Sequence, residues 1–257
     1  MEIVASSSVR RTLTWIGRPN AIGSLLQPPV AWLVGVGGLF GYHALYFLAL
    51  RFAPPAEAGL LNYLWPLLIV LFSVLLPGAR LAARHVIGAC LGLTGAVLLI
   101  LGPGASFAPE FFAGYGAALV CALVWSIYSV ANRRYGAVPS EAVAGFCAAT
   151  ALLAALAHFA LEPTVAPAGW QWGAILALGL GPTGVAFYAW DHGCKHGDIR
   201  ALGTLAYAVP LLSNGFLILA GQGRLDWRVG AAAILIVGGA ALGAGIFRIR
   251  REPASAN

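Results

Sequence analysis

The chain has 257 residues, of which 60% are hydrophobic and only 9% are charged, and its formal net charge is +6. Soluble domains carry about a quarter of charged residues, so this composition excludes an ordinary soluble enzyme or binding domain. The arginines lie singly or in small clusters between apolar runs, which indicates membrane topology determinants rather than a nucleic-acid surface.

Eight charge-free apolar runs follow a polar segment at residues 1–30, and each is about long enough to cross ~30 Å of hydrocarbon as a helix. Their predicted positions are residues 31–50, 58–76, 86–102, 111–131, 142–161, 170–190, 201–220 and 230–247. The connections are short, which requires neighbouring helices to be antiparallel. We therefore predict an all-α polytopic membrane protein with a polar tail at residues 248–257.

Lysine and arginine residues are divided unequally between the two sides of the predicted membrane. Twelve collect on the side of the termini, whereas only Arg51, Arg224 and Arg228 lie on the other side. By the positive-inside rule, this asymmetry places both termini in the cytoplasm. We expect a multi-pass protein of the bacterial inner membrane.

The chain contains an internal sequence repeat. Residues 59–98 recur as residues 203–242, with 16 of 40 aligned positions identical, and the matches include Tyr63 with Tyr207 and Pro66 with Pro210. In the predicted topology the two copies cross the membrane in opposite directions, which requires an odd number of helices in each repeat. We therefore predict inverted five-helix repeats, with helices 3–5 of a ten-helix fold at residues 31–102 and helices 6–10 at residues 111–247.

Two five-helix repeats make ten helices, whereas eight are visible in the sequence. We expect the first two helices to be missing, because the chain is truncated or because its start is misassigned. A native protein of eight helices is the alternative, and an inactive truncated membrane fragment stays open as an interpretation.

The two repeated prolines lie about ten residues into their helices, near the bilayer midplane. Each removes one helical hydrogen bond and leaves the carbonyl four residues earlier, on Asn62 and Ala206, without its partner. A single proline could be a packing kink. Two at repeat-equivalent positions, each three residues after a tyrosine, favour a hinge beside a substrate site, because unpaired carbonyls are costly in lipid.

Aromatic, hydroxyl and amide side chains surround these prolines at membrane depth. A cavity with aromatic walls and a few hydroxyls suits a flat aromatic solute, through ring stacking and hydrogen bonds at the ring edge. Tryptophans 170, 172 and 227 lie at span ends and are interpreted as interfacial residues instead. The predicted substrate-binding residues are Tyr42, His43, Tyr46, Asn62, Tyr63, Trp65, Pro66, Trp125, Tyr128, Pro182, Tyr207, Pro210, Ser213 and Asn214.

Glycine patterns add three expectations. The run at residues 179–184 is expected to interrupt its helix, paired with an interruption at its repeat mate, residues 35–41, and such paired breaks point to a binding region. The last helix of each repeat is rich in glycine, and we expect these two helices to pack against each other or a partner while the proline helices rock. Residues 191–198 carry five charged or histidine side chains and are predicted to form a solvated turn rather than a metal site.

No Asp, Glu, Lys or Arg lies in the middle third of any predicted span. An exporter of cations would be expected to hold a carboxylate there, which counts against small cationic drugs as substrates. Glu57 closely follows two prolines and is predicted to lie in the first turn of its helix. The serines and histidines give no recognised pairing of nucleophile and base, so we expect neither an enzyme, nor a cofactor, nor a metal.

The region from residue 41 to residue 100 resembles the EamA-type drug/metabolite transporter superfamily. The segments NYLWPLLIVL at residues 62–71 and GLGPTGVAFYAWDHGCKHGDIRALGTLAYAVPLLS at residues 179–213 are similar to its aromatic amino acid exporter branch, the YddG family. The resemblance covers nearly the whole chain from Gln27 onward. It implies a ten-helix inner-membrane exporter with inverted repeats that moves aromatic amino acids and related metabolites outward.

These lines of reasoning lead to one function and two alternatives. The expected function is a secondary transporter that exports aromatic amino acids and related small metabolites by alternating access. The alternatives are an exporter of small cationic drugs or other metabolites of the same superfamily, and an inactive fragment. The expected partners are a small-molecule substrate and membrane lipid, without nucleic acid, in a monomer or weak homodimer.

Overall fold

The structure is a computed structural model that describes residues 23–101, 107–223 and 225–245. Most of the predicted N-terminal segment, the C-terminal tail, Arg224 and the predicted span ends at residues 102 and 246–247 lie outside these residues. The described chain is helical and contains no strand. Its helices are α1 (Pro29–Phe52), α2 (Pro55–Asn62), α3 (Trp65–Phe72), α4 (Ala83–Ile100), α5 (Phe112–Arg134), α6 (Val143–Leu161), α7 (Gln171–Leu180), α8 (Ala186–His196), α9 (Ile199–Leu205), α10 (Ala208–Leu219) and α11 (Trp227–Ala244).

Within the described ranges, eight segments are long and apolar enough to cross a membrane. Three of them are pairs of helices in line: α2 with α3, α7 with α8, and α9 with α10. Large apolar side chains such as Leu33, Phe159 and Ile234 are exposed, as lipid-facing residues are. The prediction of an all-α polytopic membrane protein is therefore confirmed.

The two spans that contain the repeated prolines Pro66 and Pro210 are interrupted where the sequence predicts it. The first breaks at Tyr63 and Leu64, between α2 and α3, and the second breaks at Ala206 and Tyr207, between α9 and α10. The amide of Leu64 bonds to the carbonyl of Leu61 at 3.2 Å, which is the tighter i→i−3 pattern. Because Pro66 lacks an amide hydrogen, the α-helical ladder cannot continue through this turn.

The two predicted glycine interruptions have different outcomes. Residues Gly181–Val185 form a π-helical turn between α7 and α8, and the Thr183 hydroxyl donates to the carbonyls of Leu178 (3.0 Å) and Gly179 (3.2 Å). The expectation of a paired break at residues 35–41 was wrong, because α1 runs through them without interruption. That stretch contains no proline, so every amide can keep its place in the helical ladder.

The charged segment at residues 191–198 also differs from its prediction. It is not a solvated turn, because α8 continues to His196, and the side chains of Asp191 and Lys195 are buried. The helix ends only at His196, and Asp198 then caps the start of α9 by accepting a hydrogen bond from the Arg200 amide at 3.0 Å. Glu57 lies in the first turn of α2, as predicted.

The chain forms two compact units. The first comprises Met1–Phe40 and Tyr135–His192, and the second comprises Gly41–Arg134 and Gly193–Asn257. In the first unit, the ring of Trp32 lies edge-on to that of Phe146, with centroids 5.1 Å apart. The Cys147 thiol there donates to the carbonyl of Thr183 at 3.7 Å, linking α6 to the π-helical turn.

The second unit is built on the packing of α4 against α11, the glycine-rich last helices of the two repeats. Their ends are joined by repeat-equivalent arginines. Arg228, at the start of α11, donates to the carbonyl of Leu101 at 3.2 Å, and a Cβ added at Gly245 would lie 2.7 Å from the guanidinium of Arg84. The predicted packing of these two helices is confirmed, while the rocking of the proline helices stays a prediction.

Candidate functional site

Five aromatic side chains on α1, α3 and α5 form one group in the second unit, which we call the aromatic cluster. The ring of Tyr42 lies 4.8 Å from that of Trp125 and is stacked on Tyr46 at 6.1 Å, measured between centroids. Trp65 lies edge-on to Trp125 at 6.3 Å, and Tyr128 lies 5.2 Å from Trp125. The ring of His43 is edge-on to that of its neighbour in the chain, Tyr42, at 5.3 Å.

Helical spacing and the helix break explain why these rings meet. Tyr42 and Tyr46 are four residues apart on α1, and Trp125 and Tyr128 are three apart on α5, so each pair shares one helix face. Trp65 is the first residue of α3, directly after the break. Its carbonyl accepts a hydrogen bond from the hydroxyl of Ser126 at 3.0 Å, which attaches the broken span to α5.

Asn62 supplies the amide of this site. It is the last residue of α2, is only 5% exposed, and donates from Nδ2 to the hydroxyl of Tyr42 at 3.1 Å. Its Oδ1 atom is buried without a hydrogen-bond partner within the described part of the chain. A buried acceptor without a partner costs free energy, so it invites a donor from a bound molecule.

The second-repeat tyrosine occupies a different environment from its mate. Tyr207 is fully buried, and its hydroxyl accepts a hydrogen bond from the amide of Leu67 at 3.2 Å. A Cβ added at Gly92 would lie 2.5 Å from the Tyr207 ring, so this glycine makes room for it. The Tyr207 hydroxyl therefore bonds to the backbone just after the break in the first-repeat span. Its repeat mate Tyr63 is only half-buried.

The remaining predicted residues lie apart from these contacts. Pro66 and Pro210 are buried beside their helix breaks. The Asn214 amide donates to the carbonyl of Pro210 at 3.0 Å within α10, while the side chain of Ser213 is exposed. Pro182 is exposed on the π-helical turn of the first unit. Of the predicted set, the structure thus brings together Tyr42, His43, Tyr46, Asn62, Trp65, Trp125 and Tyr128.

Two contributors to the site were not predicted from the sequence. The thiol of Cys121 donates to the carbonyl of Tyr42 at 3.2 Å, and Ser126 holds the carbonyl of Trp65. Cys121, Trp125 and Tyr128 follow the i, i+4, i+7 spacing of one helix face, so this pattern could have identified the cysteine.

A concave region lies in the same unit, and we call it the basic cleft. Its volume is about 650 Å³, and three arginine side chains and one histidine line it beside a single carboxylate. Arg200 donates to the carboxylate of Asp198 at 3.1 Å and to the carbonyl of Arg80 at 2.8 Å. The residues that line the cleft are Ser73, Leu76, Pro77, Gly78, Ala79, Arg133, Arg134, His196, Gly197, Asp198, Ile199 and Arg200.

The pKa of the Asp198 carboxyl is below its ordinary value. Partial burial acts to raise this pKa, but the hydrogen bonds from the side chain and amide of Arg200, together with the positive charge of that residue, outweigh burial. The carboxylate is therefore ionised at neutral pH and neutralises one of the arginines of the cleft.

The chemistry available in the aromatic cluster is stacking and neutral hydrogen bonding. Its members carry phenol and indole groups, and the imidazole of His43 and the amide of Asn62 lie beside them. None of these side chains is a carboxylate, ammonium or guanidinium. Across the described ranges, no group of three or more His, Cys, Asp or Glu side chains could hold a metal ion. Such a site binds a flat, largely uncharged ring better than it binds an ion.

The fold and the site together define a class of protein. Eight membrane-spanning segments, an internal repeat with paired helix breaks and a partly buried aromatic cluster beside one break are features of polytopic membrane transporters. The EamA-like transporter family matches residues 10–101 and 112–244, and the chain belongs to this family. The resemblance that the sequence predicts is thereby confirmed.

Relatives of known name agree with this family. The chain is 55% identical over 229 residues to the aromatic amino acid exporter YddG of Ancylobacter novellus, covering 88% of this chain and 80% of the relative. It is 26% identical to the protein of the same name from Salmonella typhimurium, covering 83% and 77%. A solved crystal structure that is 56% identical has a TM-score of 0.83 and covers 86% of this chain and 78% of that protein.

Proposed function

We propose that this membrane transporter exports aromatic amino acids and related small metabolites, and that the aromatic cluster with Asn62 is its substrate site. The observation that carries the proposal is the buried Oδ1 of Asn62, which has no hydrogen-bond partner among the described residues and belongs to the side chain that bonds to Tyr42. The Tyr42 ring in turn contacts that of Trp125. An amino acid with an aromatic side chain offers both a ring to stack and an ammonium group to donate to that oxygen. The names of the relatives support the same substrate class.

The proposed mechanism is alternating access between the inverted repeats, with residues 31–102 and 111–247 as their extents. The paired breaks at Tyr63 and Tyr207 support it, because a helix that is already interrupted can change its angle without losing further hydrogen bonds. The distribution of arginines supports a bacterial inner membrane and cytoplasmic termini.

Export of small cationic drugs is supported less well. A cation bound at membrane depth needs a carboxylate or a pair of them, and the aromatic cluster supplies none. The nearest carboxyl in the sequence is that of Glu57, which is buried and lies five residues before Asn62. Glu57 lies in the first turn of α2, at the opposite end of that helix from Asn62. Cation–π attraction to Trp65 or Trp125 could hold a cation only weakly by comparison.

Transport by purified protein in proteoliposomes tests the proposal. Uptake of labelled phenylalanine, tyrosine, tryptophan and alanine is measured with and without a pH gradient, and tetraphenylphosphonium serves as the cationic probe. We expect the three aromatic amino acids to be transported about tenfold faster than alanine or more, because alanine lacks the ring that stacks. Equal fluxes of all four amino acids, or no flux of any, would contradict the proposed substrate, and a preference for tetraphenylphosphonium would favour the alternative.

A further inference from the structure

The aromatic cluster and the basic cleft are joined by two helical segments of equal length. The first runs from Trp65 along α3 to Ser73, the residue after that helix, and the second runs from Trp125 to Arg133 on α5. In each segment the two end residues are eight positions apart, which is about 12 Å of helix. The basic cleft therefore lies about 12 Å from the aromatic cluster along α3 and α5.

Between Trp65 and Ser73, α3 is closely packed against α9. Ile69 and Val70 on α3 are fully buried. A Cβ added at Gly203 on α9 would lie 3.0 Å from the carbonyl of Pro66 and 3.3 Å from the side chains of Ile69 and Val70. We call Ile69, Val70 and Gly203 the plug, because α9 and α3 meet at these residues with no room for a solute.

Arg133 fixes the wall of the cleft above this plug. Its Nη1 donates to three carbonyls at the end of α8 and the following link: Lys195 at 2.7 Å, Gly197 at 2.7 Å and Cys194 at 3.3 Å. The last carbonyls of a helix have no partner within it, and the negative end of the helix dipole favours a cation there. We call this set of bonds the Arg133 clasp.

The clasp joins α5 to the end of α8 and to the link between α8 and α9. Gly197 and Asp198 are the only residues between α8 and α9, so a bond to this link also fixes the start of α9. One end of the clasp is on α5, the helix that carries Trp125 of the aromatic cluster. Release of the link would remove one of the restraints on α9, the helix that carries Gly203.

We propose that the basic cleft is the cytoplasmic opening of the transport pathway and that Arg133 is the residue that keeps this opening closed. The inference rests on the proposed transport function, and it assigns to Arg133 a positioning role rather than contact with the substrate. Opening toward the cytoplasm requires the clasp to break, so that α9 withdraws Gly203 from Ile69 and Val70.

Two native cysteines report this opening without any substrate. Cys194 is fully buried beside the clasp, and Cys121 is fully buried in the site, bonded to the carbonyl of Tyr42. Each is kept as the single cysteine of the full chain, with the other three changed to Ser. An impermeant maleimide is then applied to inside-out and to right-side-out vesicles, with Arg133 intact or replaced by Gln.

We expect Arg133→Gln to raise the rate of Cys121 labelling from the cytoplasmic face by about tenfold, the effect of losing one charge-assisted contact. Labelling from the opposite face should not rise. Arg133→Lys should give an intermediate rate, because lysine keeps the charge but not the planar fork of donors. Arg134→Gln is the matched control, since Arg134 lines the same cleft and is exposed, and its side chain makes no hydrogen bond to the described residues.

Three results would overturn the proposal. Unchanged labelling of Cys121 in Arg133→Gln would show that the clasp does not close the pathway. A rise at Cys194 alone would show that the link loosens without opening a route to the site. A rise from both faces would indicate a general loss of structure. Since labelling needs no substrate, failure of amino acid transport would contradict the proposed function while leaving the labelling result intact.

Discussion

Gly88 and Gly239 lie back to back where α4 crosses α11, and a Cβ added at either would lie 2.5 Å from the carbonyl oxygen of the other. A related contact occurs on the same two helices, where a Cβ added at Gly95 would lie 3.0 Å from the carbonyl of Ala232. The internal repeat exchanges the two contacts, because Gly95 corresponds to Gly239 and Gly88 corresponds to Ala232. The crossing is therefore a shared property of both repeats, and its closeness depends on the absence of side chains.

Replacing Gly239 with alanine should destabilise the protein. The new methyl group would press on the backbone of α4, which cannot move aside as a side chain can, and overpacking of this kind costs about 1–3 kcal/mol. Gly238→Ala is the control, because its Cβ would meet nothing within 4 Å. Thermal unfolding in detergent should show a lower midpoint for Gly239→Ala and an unchanged or higher one for Gly238→Ala. Equal midpoints would mean that the helices separate at no cost.

The features that could be predicted from the sequence are those with a local cause. The missing amide hydrogens of Pro66 and Pro210 predict both broken spans, because a proline disrupts its own helix whatever lies around it. The spacing of Tyr42 with Tyr46 predicts a shared face in the same way. Repetition of the sequence then predicts that what holds for one span holds for its mate.

The features that could not be predicted have a distant cause. Tyr207 matches Tyr63 in the sequence, but it is buried because Gly92 on another helix leaves space for its ring. The segment at residues 191–198 is polar and resembles a turn, yet its first six residues are helical, and Arg133 satisfies the carbonyls at its end. The periodicity of a sequence does not show which helix will pack against a given residue. The environments of Tyr207 and of residues 191–198 therefore could not be predicted from it.

Asp198 should make the stability of the protein depend on pH in the acid range. Its folded-state pKa lies below the unfolded value of about 3.9, so the ionised form stabilises the folded protein above about pH 4. This contribution is lost as the pH falls through the folded-state pKa. Asp198→Asn keeps a side-chain oxygen for capping α9 while removing the charge.

Unfolding of wild type and Asp198→Asn is compared between pH 7 and pH 3. We expect the variant to have the lower midpoint at neutral pH, and the difference to shrink once the pH falls below about 4. Glu110→Gln, an exposed carboxyl on the turn before α5, is the control and should show no such convergence. A difference between wild type and Asp198→Asn that stays constant with pH would show that charge is not involved.

Substitution of two tryptophans tests whether transport depends on the proposed site or on the membrane interface. Trp65 lies edge-on to Trp125 at 6.3 Å, whereas Trp227 starts α11 and is 71% exposed. Trp65→Ala should lower the flux of aromatic amino acids about tenfold or more, because it removes one wall of the cluster. Trp227→Ala should leave the flux within about twofold, the effect of a surface substitution. Equal losses in labelled-tryptophan uptake would remove Trp65 from the site.

Substitution of Asn62 should change the rate of transport without lowering the stability of the fold. Asn62→Leu removes both the donor to Tyr42 and the buried Oδ1 atom that has no partner within the described residues. Losing the bond to Tyr42 destabilises the fold by about 1 kcal/mol, and losing the buried Oδ1 atom recovers a similar amount, so we expect the unfolding midpoint to change little. Uptake of aromatic amino acids should nonetheless fall about tenfold, because the ammonium group of the substrate loses its acceptor. Asn214→Leu, which breaks a bond to Pro210 within one helix, should change uptake by less than about twofold. A fall in both uptake and midpoint for Asn62→Leu would instead assign Asn62 a structural role.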